Sequence, residues 1–174
     1  MRITTTLLAF ALAGTLGAQS MTDNPQLAST KAFYDQIKQN ILKSADKLPE
    51  DRYGFAPTAG IRTYGQLLAH VADGQYILCG VAKDGKMQMK GVEKSATTKA
   101  EIVAALNEAF AFCDSVYAGL TDATSVATVP WFGQQRTKLS VLAFNTAHTF
   151  EHYGNLVTYM RMNGAVPPSS EPRK

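Results

Sequence analysis

The chain has 174 residues, 45% of them hydrophobic and 18% charged, with a formal net charge of +3. That length fits one domain with its own core, and so high an apolar content excludes a disordered chain. A balance of 17 Lys and Arg against 14 Asp and Glu excludes a dedicated nucleic-acid binder, and two Cys exclude a disulfide scaffold or a cysteine-rich zinc module.

Met1-Arg2 is a short basic start, and Ile3 to Gly17 carries no charge. This is the pattern of a secretory signal peptide, so residues 1–20 are expected to be removed, with cleavage after Ala18 or Ser20. The mature domain is then 21–174, exported to the periplasm or secreted. The alternative is a cytoplasmic product for which Met21 is the true start. No later apolar stretch reaches membrane-spanning length, so no membrane span is expected in the mature chain.

The first helix opens at Asn24-Pro25, a capping residue before a proline suited to the first helical position, and runs to about Lys47. Pro49 and the loop from Asp51 to Ile61 end it. A second helix runs from near Thr63 to about Val81, and the Lys-rich stretch from Lys83 to Thr97 reads as a solvated loop. Thr98 and Glu101 have capping-box spacing ahead of the stripe Ile102, Leu106, Ala109, Phe110, Cys113 and Tyr117, which Gly119 closes. Leu120 to Lys138, with Pro130 and Gly133, suggests a short hairpin-like excursion. The fourth helix is expected from Ser140 to about Met162, stopped by Asn163-Gly164 and Pro167-Pro168. Four such helices give an all-α four-helix bundle, whose sites are built from side chains on facing helices.

The chain has only three His. His148 and His152 are four apart on one helix, so they lie about 40° apart and one turn along the same face. His70 lies mid-way along the second helix among Leu67, Leu68 and Val71, and is expected to face the interior. Three neutral imidazoles around one divalent ion leave coordination positions open, the arrangement of a catalytic site. The competing reading is three core or surface histidines with ordinary hydrogen bonds. Zinc and nickel are the leading candidates for the ion.

Asn145, Asn155 and Tyr159 share the helical face of His148 and His152, and Thr63 and Gln66 share that of His70. These five are candidates to orient the ligands or line a pocket, with polar caps at the bundle ends as the alternative for Tyr159 and Thr63. Glu151 and Asp73 lie beside these faces and read best as solvated acids, with acceptance of an imidazole N–H or a general-base role as the alternative. Cys79 falls on the side of its helix opposite His70. Cys79 and Cys113 are expected to pack as two small apolar residues, with a disulfide as the alternative in an oxidising compartment.

His70 within RTYGQLLAHVAD (Arg62 to Asp73), together with HTFEHYGNLVTYMRMNGAVPPS (His148 to Ser169), resembles the DinB family of four-helix-bundle metalloenzymes. The resemblance spans nearly all of the mature chain and implies a metal held by His70, His148 and His152. Some members of that family are S-transferases or isomerases that use bacillithiol or mycothiol. Those thiols are cytoplasmic, whereas this chain carries an export-type leader, so the fold carries over and the substrate does not. The resulting expectation is a metal-dependent enzyme of transferase or hydrolase type acting on a small molecule. The alternative is an exported, stress-related metal-binding bundle without turnover. A homodimer is left open as a partner.

Overall fold

Helix starts in this chain are set by side chains that satisfy the first free backbone N–H groups. The computed structural model describes residues 23–172; the expected leader, residues 1–20, and Met21 lie outside the described residues. Four long helices are present: α1 (Pro25–Lys47), α2 (Tyr64–Asp84), α4 (Lys99–Ala118) and α6 (Lys138–Met162). Two one-turn helices, α3 (Val92–Ser95) and α5 (Asp122–Ser125), and an antiparallel pair, β1 (Thr128–Trp131) and β2 (Gln134–Thr137), lie between them. The four-helix bundle and the hairpin-like excursion are as expected. Among the described residues no helix is long and apolar enough to cross a membrane.

Thr98 and Glu101 form the capping box read from the sequence, and Thr63 with Gln66 forms a second one at the start of α2. Two starts differ from expectation. The last long helix begins at Lys138 rather than Ser140, because Thr137 accepts from the Ser140 N–H and serves as its cap. Asn24 does not cap α1: its Oδ1 accepts from the Asp122 N–H at 2.7 Å, while the Asp122 carboxylate accepts from the N–H groups of Gln26 and Leu27. The two helix starts thus cap each other across 98 residues of chain.

Helix α2 packs on α4 and α6, and α1 closes the bundle against α6 and α4. The core is formed by Tyr34, Ile37, Ile41, Tyr64, Leu68, Leu106, Phe110, Leu142, Leu156 and Met160, all fully buried. The buried tyrosines need partners for their hydroxyls. Tyr34 donates to the Phe110 carbonyl at 3.1 Å, and Tyr64 to the Ser44 carbonyl at 2.6 Å.

Cys79 and Cys113 form a disulfide with a Cα–Cα distance of 5.4 Å, which corrects the expectation of simple packing. Both positions lie on buried stripes of α2 and α4, and the close approach of these two helices brings the sulfurs together. Gly80 shapes the path of the chain beyond α2. A Cβ there would sit 2.6 Å from the Lys86 carbonyl oxygen, so only glycine lets the chain from Lys86 onward fold back against the helix. That return places α3 beside α2.

Candidate metal centre and adjoining cleft

His70 projects from the middle of α2, and His148 and His152 from one face of α6. Their ligand-capable atoms lie within 4.8 Å of one another, with all three residues partly buried. The His148 and His152 Nε2 atoms are 2.9 Å apart, and the ring centroids of His70 lie 5.4 and 4.7 Å from those two rings. The three histidines foreseen from the sequence do converge.

Close packing at this point depends on Gly74. A Cβ at that position would lie 2.9 Å from His148 Cε1, so the His148 ring occupies the space a side chain on α2 would fill. Glycine inside a helix costs about 1 kcal/mol relative to alanine, which gives this residue a local reason to be there.

One residue was missed in the sequence. Glu93 Oε2 lies 3.1 Å from His70 Nδ1, and its Oε1 accepts from Arg62 Nε at 2.8 Å. Glu93 stands on α3, inside the stretch read as a solvated loop. Asp73, read as a solvated acid, holds that turn in place: its carboxylate accepts from the N–H groups of Val92 and Glu93 at 2.8 and 3.0 Å. Gly91, with φ of 70°, directly before an i,i+1 apolar–acidic pair, is the one local signal that could have marked a helix start there.

Burial pushes the His152 imidazole down to about 4, with the neighbouring charges of His148 and His70 adding to it. Burial, then His70, also lowers His148. Both rings are therefore neutral at pH 7 and have lone pairs free for a ligand. Burial works to raise Glu93, but the hydrogen bond and charge of Arg62, followed by those of His70, outweigh it and leave its carboxyl below the ordinary value.

The donor set fits a transition ion. A carboxylate on His70 Nδ1 leaves its Nε2 free, the orientation by an outer carboxylate that metal-bound histidines commonly show. Among the described residues the Nδ1 atoms of His148 and His152 are buried without a hydrogen-bond partner, and their Nε2 atoms face each other at 2.9 Å. Facing lone pairs at that separation repel unless a proton or a cation lies between them, and a cation among the rings would take one from each. Nitrogens on one tetrahedral zinc ion lie about 3.4 Å apart for bonds of ~2.1 Å, so side-chain shifts of about 1 Å bring the three rings to one ion.

The other predicted residues are distributed unevenly. A cleft of about 850 Å³ is lined by His70, Gln66 and His148, and a second of about 590 Å³ by His152, Asn155 and Tyr159. Arg62 and Glu93 line both, so their ion pair forms the partition. Tyr159 donates to the Arg62 carbonyl at 3.0 Å. Thr63 is occupied as the cap of α2. Asn145 is corrected: it is fully buried and donates to Gln75 Oε1 at 2.8 Å, beside the disulfide sulfurs and away from solvent. Glu151 is exposed in the second cleft.

The sequence profile of the DinB superfamily matches residues 34–156. The chain belongs to the DinB superfamily. A DinB-like protein from Bacillus cereus superposes with a TM-score of 0.71 at 16% identity, covering 85% of this chain and 98% of that one. A DinB-like protein from Bacillus subtilis gives 0.68 at 18% identity, over 84% and 99% of the two chains. A variant of a mycothiol-dependent maleylpyruvate isomerase gives 0.62 at 16% identity, over 75% of this chain and 60% of that one. At such identities the likeness concerns the fold. No curated protein matches the chain.

Proposed function

We propose that this DinB-superfamily protein is a metal-dependent enzyme of transferase or hydrolase type, with His70, His148 and His152 holding one divalent transition ion, zinc or nickel. The observation that carries the reading is the position of the cluster: three convergent imidazoles, two of them walls of an 850 Å³ cleft. A purely structural ion has no use for a cleft of that size against its ligands. A bound ion would supply Lewis acidity toward an oxygen or sulfur of the substrate. Glu93 fixes the His70 tautomer, Gly74 makes room for His148, and the Arg62–Glu93 pair separates the two clefts. The mycothiol-dependent relative makes a thiol cosubstrate one candidate.

Export to the periplasm or beyond is part of this reading. The leader pattern of residues 1–20 supports it, and so does the Cys79–Cys113 disulfide, since such bonds persist in oxidising compartments. Intact-mass measurement on protein from the native host should give a start near Gln19 or Met21 in an exported fraction; a cytoplasmic product beginning at Met1 refutes export. For the site, elemental analysis should give one zinc or nickel per chain, and hydrolase and thiol-transferase screens should yield a turnover abolished by chelation and restored by the ion. Stoichiometric metal with no metal-dependent turnover would favour a binding protein.

A further inference from the structure

The 850 Å³ cleft has a composition that a site for water-soluble, purely polar substrates does not need. Its outer wall is made by Phe132, Phe144 and Met89, which are 70%, 50% and 75% exposed. Three large apolar side chains left in water around one cleft are unusual for a surface. Phe132 is also strained. It sits at the tip of the β1–β2 hairpin with φ of 42°, and is the only non-glycine with positive φ among the described residues. A left-handed conformation costs a bulky residue about 1–2 kcal/mol, and Asn or Gly is the usual occupant of such a turn. Strain of this kind persists where a side chain is needed in place.

The wall is continuous with the candidate metal centre. Trp131 meets Phe132 and Phe144 edge to face, with centroids 4.9 and 5.2 Å away, and Phe144 stacks toward His148 at 6.4 Å. Charge on the lining is biased as well. Arg62, Lys90 and Lys94 stand against two carboxylates, and both of those are committed: Glu93 to Arg62 and His70, Asp73 to the start of α3. Among the described residues, the lining cations left without a carboxylate partner are Lys90 and Lys94, and the Lys90 ammonium lies over the Tyr76 ring at 5.4 Å.

We infer that this cleft binds small organic anions with an apolar body, the body lying against Phe132, Phe144 and Met89 and the anionic group meeting Lys90 and Lys94. The inference deepens the enzyme reading by naming the substrate class at the same site, and its test runs with and without metal so that the two fail separately.

Trp131 is the only tryptophan in the chain, so its fluorescence reports on this wall. Titration of chelator-treated protein with decanoate should change Trp131 emission saturably, and 1-decanol and decyltrimethylammonium should bind at least tenfold more weakly. F132A and F144A should each weaken decanoate binding about tenfold or more while retaining the zinc stoichiometry of the parent. The K90Q/K94Q double variant should reduce the preference for decanoate over decanol to within about threefold. Equal binding of the three probes, or decanoate binding unmoved by F132A and F144A, overturns the inference. So does a carboxylate preference seen only in the zinc-loaded protein and indifferent to K90Q/K94Q, which would assign the anion to the ion. A dimer that F132A dissociates, without decanoate binding, assigns the wall to a second copy and also overturns it. Absence of zinc binding with the decanoate results intact would refute the metal reading alone.

Discussion

Glu93 Oε2 and His70 Nδ1 are 3.1 Å apart, a contact between a one-turn helix and the middle of a long one that fixes which nitrogen of His70 points at the other two histidines. Outer carboxylates of this kind typically matter by 10–100-fold in metal affinity. E93Q should therefore weaken zinc binding by about that factor with helix content unchanged, as read by competition with a chromophoric chelator. Affinity equal to the parent's would show that the contact does not orient a ligand.

Replacing His148 or His152 by Ala should remove stoichiometric zinc and leave most of the helical circular dichroism, since the core of Tyr34, Leu68, Leu106 and Phe110 lies elsewhere. H70A should do the same. Retention of one tight zinc ion in H70A would mean that the α6 pair alone binds it.

Gly74 offers a variant in which stability and metal binding part company. G74A gains helix propensity worth up to about 1 kcal/mol. The new methyl meets only the far end of the His148 ring, at 2.9 Å, which swings aside. The expected outcome is a chelator-treated protein as stable as the parent or more so in urea, with zinc affinity reduced at least tenfold. Loss of stability together with retained affinity would contradict the geometry.

The metal-free protein should lose stability as pH falls. His152 lies at about 4 in the fold against about 6.5 unfolded, so between those values the unfolded chain binds more protons. His148, lowered in the same direction, adds to the effect. Urea midpoints should be flat above about pH 6.5 and decline from there toward pH 4, and H152A should flatten part of the decline. A midpoint that rises on acidification would refute the burial of neutral imidazoles.

The disulfide closes a loop with a sequence separation of 34 that contains α3 and the Lys90–Lys94 rim. Chain-entropy arguments give such a loop roughly 4 kcal/mol. The C79A/C113A double variant should fall by about 2–4 kcal/mol in denaturant unfolding while still binding zinc, because neither sulfur touches the histidines.

Sequence periodicity was enough for the four long helices because their signals are local: a Thr–Glu capping box, a proline at a first helical position, glycine or proline at the ends. The i,i+4 step of His148 and His152 was legible for the same reason, being a property of one helix. What escaped reading depended on contacts across the chain. Glu93 reaches His70 through α3, a turn that exists because Asp73, 19 residues earlier, caps it. Asn145 shares a helical face with His148 only approximately, and the packing of α6 on α2 turns it toward Gln75 in the core. The Cys79–Cys113 bond depended on the register between α2 and α4, which neither stripe encodes alone.

Both sulfurs of that bond are sealed, with Cys79 and Cys113 exposing none of their surface. Thiol–disulfide exchange needs a thiolate to reach a sulfur, and none can do so while the bundle stays shut. The crosslink must therefore form before α2 and α4 close over it, and a reductant reaches it only after they part. Its presence in a given molecule records the surroundings in which that molecule folded rather than those in which it is found. A batch made where thiols are kept reduced and a batch made under oxidising conditions would share one shape, and would keep their separate histories through purification and storage.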